Sequence, residues 1–406
     1  MLYLDNNATT RPSPAAVEAA REAMVELWEN PSSVHRAGQQ VRARVELARQ
    51  SIATLIGAKP RELVLTSSGT EAVHLAIQGV LGAARSAGSN PPLLVTSPVE
   101  HSAGRELAKE LEGRGDARLC WLAVDRDGVV DVSQLERLLE AGERPALVSV
   151  QWANNETGVV QPVERLAAVC NAHGVPFHCD AVQWVGKEPT KVGAGGLDCA
   201  LLSLSAHKFH GLKGCGALYI RRGVRLRPVN PGTQELGRRA GTESVPSILA
   251  AGAAAAEAHA WLSASDFPDQ REALLARRDR FERRVLEACP GASINGGGAP
   301  RLWNTSNIGF PRLEAEAILL ALSERGLCAS AGAACASGSL EPSPVLLAMG
   351  LDPAIAHGSV RLSLCRQTTE AELDRAVEVL ASCVAQLRSS TSAAVGDPGA
   401  GGTAAR

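Results

Sequence analysis

The chain has 406 residues, 45% of them apolar and 21% charged, with a formal net charge of −2, which is enough for two domains with cores of their own. That charge balance, without any block of Lys or Arg, argues against a nucleic-acid-binding surface, and no apolar run approaches the roughly 18 residues of a membrane span. The ten cysteines stand singly with no CxxC pair, and Met1–Asp5 has no basic segment leading into an apolar core, so a reducing cytoplasm and no signal peptide are expected.

In chain order, Asp5–Asn6–Asn7–Ala8–Thr9–Thr10 is polar and turn-like, and Pro14–Leu27 reads as a helix capped by Ser13. Asn30–Pro31–Ser32–Ser33 breaks it, and a helical pattern resumes over Gln39–Ile56. Apolar strand candidates follow at Leu63–Thr66, Leu93–Ser97, Leu119–Val124, Leu147–Gln151, Pro176–Asp180, Cys199–Leu202 and Gly216–Ile220. Helical segments at Glu71–Leu81, Ala103–Leu111, Val132–Glu140 and Val163–Ala172 lie between most of them. This alternation predicts an α/β fold with a mainly parallel sheet covered on both faces, whose ligands bind beyond the carboxyl ends of the strands.

After Pro246 the pattern changes. Ser247–Leu262 and Asp269–Ala288 read as long helices, and Asn304–Phe310, Glu314–Arg325, Ser359–Leu364 and Glu370–Leu387 predict a smaller α+β domain. The expected division is a large domain over residues 12–260 and a small one built from 1–11 and 261–388. Ser389–Arg406, rich in Ser, Gly, Ala and Pro, is expected to be disordered.

The chemistry gathers at strand ends. Lys208, one of six lysines against thirty-five arginines, closes Ser203–Leu204–Ser205–Ala206–His207–Lys208. It is either a strand-end lysine reaching for water or a desolvated amine able to form a Schiff base. Thr66–Ser67–Ser68–Gly69–Thr70–Glu71 puts free backbone N–H groups at a strand-to-helix turn, a phosphate site or an ordinary cap. Asp180 is a structural cap or the holder of a proton on a heterocyclic nitrogen, with Gln183 one turn on. His101 is a core histidine or an aromatic lid over a flat cofactor. Asn154–Asn155–Glu156 is a turn or a set of substrate contacts. Taken together, these groups match the needs of pyridoxal 5′-phosphate: a lysine, an acid for the ring nitrogen, phosphate donors and a ring to stack on.

Several motifs then carry a family resemblance. They are Tyr3–Leu4–Asp5–Asn6–Asn7–Ala8–Thr9–Thr10, Asn30–Pro31–Ser32–Ser33, Trp152–Ala153–Asn154–Asn155–Glu156–Thr157–Gly158 and His178–Cys179–Asp180–Ala181–Val182–Gln183. Arg238–Arg239–Ala240–Gly241–Thr242–Glu243, the run from Ala333 through Cys335 to Ser343, and His357–Gly358–Ser359–Val360–Arg361–Leu362–Ser363–Leu364 complete the set. In this order, from about residue 3 to residue 387, the chain resembles the NifS-type cysteine desulfurases of aminotransferase class V.

The resemblance implies a PLP-dependent transferase of fold type I, working as a homodimer on L-cysteine and yielding L-alanine. It implies that Lys208 holds the cofactor, Asp180 pairs with the ring nitrogen, Gln183 contacts the ring oxygen, and His101 stacks on the ring and assists proton transfer. Gly69, Thr70, Ser205 and His207 would hold the phosphate, with Thr242 reaching it from the partner subunit. Asn155 and Arg361 would hold the substrate carboxylate.

Cys335 matches the nucleophile that receives sulfur as a persulfide, bound for iron–sulfur assembly or another sulfur-acceptor protein; no metal ligands are expected, although Cys335 would be the contact for a transferred iron–sulfur cluster. Cys328, in a stretch expected to start a strand, should be a buried, inert thiol. The sequence departs from the family pattern at His74, Leu212, Cys328, Ala331 and Ala333, positions that bear on the loop around Cys335 and on the tuning of its thiol. A selenocysteine lyase shares most of these motifs, and a catalytically dead scaffold for a sulfur-acceptor protein is the alternative of another class.

Overall fold

The computed structural model describes residues 1–332 and 341–395. A short strand β1 (Leu2–Tyr3) leads to α1 (Pro14–Val25) and α2 (Arg36–Leu55). Ser13 starts α1 as expected: its hydroxyl accepts the N–H of Ala16, and Pro14 brings a preset φ to the first turn. Strands and helices then alternate through β2 (Leu63–Thr66), α3 (Gly69–Ser86), β3 (Leu93–Thr96), α4 (Ser102–Gly113), β4 (Arg118–Trp121), α5 (Val132–Glu140), β5 (Leu147–Gln151), α6 (Val163–Ala172), β6 (Phe177–Asp180), β7 (Leu201–Ser205) and β8 (Gly216–Ile220). These seven strands make one sheet in the order β2-β8-β7-β6-β5-β3-β4. Neighbours from β7 out to β4 are parallel, and only β8 runs against the others, antiparallel to both β2 and β7.

Side chains alternate across each strand, so the sheet has two differently composed faces. One carries Leu63, Leu65, Val95, Val148, Val150, Phe177, Cys179, Leu202 and Leu204 into a core shared with α1, α2 and α7 (Val245–Leu262). The other carries Val64, Leu94, Leu147, Leu201 and Leu218 against α3 and α4.

A separate core forms beyond α7. It is made by α8 (Phe267–Ala288), β9 (Ser293–Ile294), β10 (Thr305–Gly309), α9 (Ala315–Glu324), β11 (Leu327–Cys328), β12 (Ser359–Ser363) and α12 (Glu370–Val395), while α10 (Pro344–Ala348) and α11 (Pro353–His357), between β11 and β12 in the chain, pack with Val99 in a small cluster of their own. Phe281, Phe310, Ile318, Val360, Leu362 and Leu380 fill it, and Leu4 joins from the N-terminus. β1 pairs with β11, and β10 lies between β9 and β12. The N-terminal segment 5–10 therefore leaves the second core and crosses to the carboxyl ends of the main sheet. Among the described residues no helix is long and apolar enough to cross a membrane.

Three expectations need correction. The strand expected at Cys199–Leu202 spans Leu201–Ser205, because Ser203 and Ser205 alternate with Leu202 and Leu204 and the polar positions share a buried face. The final helix continues to Val395, past the point at which disorder was expected: the Ser389 and Ser390 hydroxyls donate back to the Gln386 carbonyl, and the next glycine is Gly396. Cys328 sits in β11 but is half-buried, not enclosed.

Candidate active site

A cavity of about 190 Å³ opens at the carboxyl ends of the parallel strands. Lys208, in a short 3-10 turn over Ala206–Lys208 directly after β7, lines it together with His101, Asn155, Asp180, Gln183, Ser205, His207 and Arg361. Gly69 and Thr70 contribute the first turn of α3. Ten of the twelve expected site residues thus meet in one place. Thr242 is exposed on a loop outside this cavity, and Cys335 lies outside the described residues.

The N-terminal segment covers the lysine. Lys208 Nζ donates to the carbonyls of Asn7 and Ala8, the latter at 2.9 Å. Asn7 is 1% exposed and acts as a hub: its amide donates to the Asn155 carbonyl and Thr305 Oγ1, its Oδ1 accepts from Asn304 and Lys187, and its carbonyl also accepts from Gln183. Those bonds join the two cores at the cavity.

Asp180 ends β6, and its Oδ1 accepts from the Val182 N–H at 3.0 Å and from Ser203 Oγ at 3.2 Å. Burial pushes its pKa up to about 6, against the pull of these hydrogen bonds and of Lys208. His101 caps α4; its Nδ1 accepts the Ala103 N–H at 3.1 Å, which leaves the proton on Nε2. Burial first and Lys208 second hold its pKa down at about 4, so the ring is neutral. His207 bonds Thr9 Oγ1 through Nδ1 at 3.1 Å, and burial brings it down to about 3.

Arg361, from β12, is 1% exposed. Its Nη2 pairs with Asp5 at 2.7 Å, and Nη1 donates to the carbonyls of Asn155 and Gly332. Gln183 spends its amide on Asn7 and on Lys187 Nζ, 2.6 Å from its Oε1, so the structure ties it to the protein framework as well as to the cavity wall.

Three buried polar atoms in the wall lack partners: Ser205 Oγ, Asn155 Oδ1 and Arg361 Nε. Buried polar groups are almost always satisfied, so these three mark where a polar ligand belongs. The cradle next to Ser205 is also cut close. A Cβ on Gly69 would come within 2.8 Å of Val182 Cγ2 and 3.2 Å of Ser205 Cβ, and one on Gly216 within 2.5 Å of the Ser68 carbonyl. Backbone N–H groups of a helix start, a hydroxyl without a partner and a glycine together suit a phosphate. The donor set therefore fits PLP: α3 and Ser205 would suit its phosphate, Asp180 its ring nitrogen and Lys208 its aldehyde carbon.

Sequence reasoning missed several groups here. Lys187 is fully buried with a pKa pushed well down by desolvation, and its rarity is the same signal that singled out Lys208. Burial holds the carboxyl of Glu100, also missed, and that of Glu156, which the sequence offered as a turn residue or substrate contact, above their usual range. Glu100 accepts the Gln151 N–H, and Ser343 donates its hydroxyl to Glu156. Among the described residues no group of three or more His, Cys, Asp or Glu could hold a metal ion.

The geometry agrees with what the chain is similar to. The family model "Aminotransferase class-V" matches residues 2–376. Cysteine desulfurase 2 of Trichormus variabilis is 46% identical over 389 residues, covering 96% of this chain and 94% of that protein. A solved NifS-like protein superposes with a TM-score of 0.83 at 33% identity, over 95% of this chain and 100% of the other. SspA in complex with cysteine gives 0.76 at 30% identity, over 91% of this chain and 100% of its own.

Proposed function

The chain belongs to the class-V aminotransferase family as a NifS-type cysteine desulfurase, and from that premise we propose how its own residues divide the removal of sulfur from L-cysteine. The observation that carries the assignment is the convergence of three unpartnered polar atoms on one cavity with Lys208 and Asp180 in its wall. The family fold implies PLP in general, and when bound that group supplies an electron sink for the carbon that loses its proton.

Lys208 would hold the cofactor covalently, and its amine, when free, would take the Cα proton of the substrate. Asp180 keeps a proton on the ring nitrogen. Ser205 Oγ, His207 and the N–H groups of Gly69 and Thr70 bind the phosphate. His101, a neutral ring with Nε2–H free to donate, would stack over the cofactor. Arg361 Nε and the Asn155 amide hold the substrate carboxylate; the Asp5 pair and the carbonyl contacts fix the guanidinium plane before substrate arrives. Cys335 Sγ, as thiolate, attacks the sulfur of cysteine; the Cβ–S bond breaks, the sulfur stays on Cys335 as a persulfide, and the carbon skeleton leaves as alanine. An iron–sulfur scaffold or another thiol-bearing protein then takes the terminal sulfur.

Thr242 is proposed to serve the cavity of a partner subunit. Its exposed position outside this chain's cavity supports that reading, as does the exposed apolar surface at Trp28 and Val34, 72% and 89% accessible. Peptide mapping after a brief pulse of cysteine tests the assignment. The persulfide is expected on Cys335, and Cys335→Ala should keep PLP and bind cysteine yet make neither persulfide nor alanine at the wild-type rate. A persulfide on Cys328 instead would overturn it.

A further inference from the structure

Behind the cavity, the sheet holds a polar line that the chemistry above leaves unused. Ser149 on β5, His178 on β6 and Ser203 on β7 are 3%, 0% and 0% exposed. Strand register sets them side by side: Ser149 faces His178, and Ser203 faces Asp180. Ser149 Oγ lies 2.8 Å from His178 Nδ1, His178 Nε2 lies 3.2 Å from Ser203 Oγ, and Ser203 Oγ lies 3.2 Å from Asp180 Oδ1. Three polar side chains in the middle of a sheet are costly beside apolar ones of similar size unless they are fully bonded. They are, and the direction is forced. An ionised Asp180 only accepts, so the Ser203 hydroxyl donates to it and must itself accept from His178 Nε2–H. Nδ1 is then an acceptor, filled by the Ser149 hydroxyl. Burial keeps His178 neutral, with a pKa near 3, as this single tautomer requires. The other groups acting on Asp180 are the Val182 N–H, Lys208 and the buried carboxyl of Glu100.

We propose that Ser149, His178 and Ser203 are positioning residues that form a one-way hydrogen-bond chain, holding Asp180 as an ionised acceptor and thereby setting how firmly the ring nitrogen of PLP stays protonated. This rests on the reading that Asp180 faces that nitrogen. The chain polarises toward the carboxylate, each donor strengthened by the one behind it. Cys179, next in sequence but on the opposite face, takes no part.

The test loads the protein with PLP labelled with 15N at the ring nitrogen and reads its NMR shift together with the rate of cofactor loss. Asp180→Asn comes first: a ring-nitrogen signal unchanged from wild type refutes the underlying placement of Asp180. With that placement intact, Ser203→Ala should move the signal toward the unprotonated value and speed cofactor loss about tenfold, the scale of one hydrogen bond to a charged group. His178→Phe should move it less, because Ser203 still donates, and Ser149→Ala least. The Ser203→Ala/His178→Phe double variant should match Ser203→Ala alone. Cys179→Ala should leave the signal in place, which a general loosening of the sheet would not. If Asp180→Asn shifts the nitrogen while Ser203→Ala does not, the chain has no such role. Ser203→Ala removes a single oxygen and decides the matter even if His178→Phe fails to fold.

Discussion

The two faces of the main sheet are built on the same backbone and do different work. Toward α1, α2 and α7 the strands present Leu63, Val95, Val150, Phe177 and Leu202, apolar from end to end. Toward α3 and α4 they begin with Leu94, Leu147 and Leu201, then turn polar along Ser149–Gln151, His178–Asp180 and Ser203–Ser205 as they approach the cavity. Strand alternation separates these sets residue by residue, so stability and chemistry are encoded at adjacent positions with little overlap. A core face can supply transfer free energy without restricting the site. The polar face accepts a burial cost in exchange for a fixed carboxylate.

Substitutions on either face put that division to the test. The largest effect is expected for Lys208→Ala, at the cavity end of the polar face: turnover to alanine should vanish while thermal unfolding stays close to wild type, since no packed apolar group is lost. Alanine formation at a normal rate would break the assignment of Lys208. On the opposite face, Phe177→Ala should lower unfolding stability by about 3–5 kcal/mol and leave the KM for cysteine of the folded protein unchanged. A raised KM with unchanged stability would show that the faces are not independent. Arg361→Ala, reaching the cavity from the second sheet, should cost about 2–4 kcal/mol in kcat/KM for cysteine, with cofactor retained. Asp5→Asn separates the ion pair from the proposed substrate contact of that guanidinium, because it loosens the pair and leaves Arg361 itself in place.

The smallest expected effect is a slope. His178 titrates near 3 in the fold and near 6.5 when unfolded, so between those values the unfolded chain binds more protons and stability falls as pH drops. This one group contributes about 1.4 kcal/mol per pH unit. His178→Phe should be less stable than wild type at pH 8, and the gap should narrow on acidification from pH 6 to 4. The contributions of the buried carboxyls Glu100 and Glu156 cancel in that difference, whereas that of Asp180, joined to His178 through Ser203, does not. A gap independent of pH, from chemical denaturation at each pH, would mean that His178 is not buried in neutral form.

What could be read from the chain alone was whatever depends on local pattern: the strand–helix alternation, the mainly parallel sheet, and a set of reactive residues at strand ends. Lys208, Asp180, His101 and Ser205 stand out because a polar group just after an apolar run has few other reasons to be there. Tertiary structure alone decided the rest. Asn7 gathers partners from Asn155, Thr305, Asn304, Lys187 and Lys208, and Arg361 is held by Asp5 from 356 positions away. Sequence spacing carries no information about such contacts, because hydrogen bonds across the fold follow from how the two cores meet. The same holds for His178. Its place inside a strand marks it as buried, but which serines flank it is set by the pairing register of three strands, and register is a property of the assembled sheet.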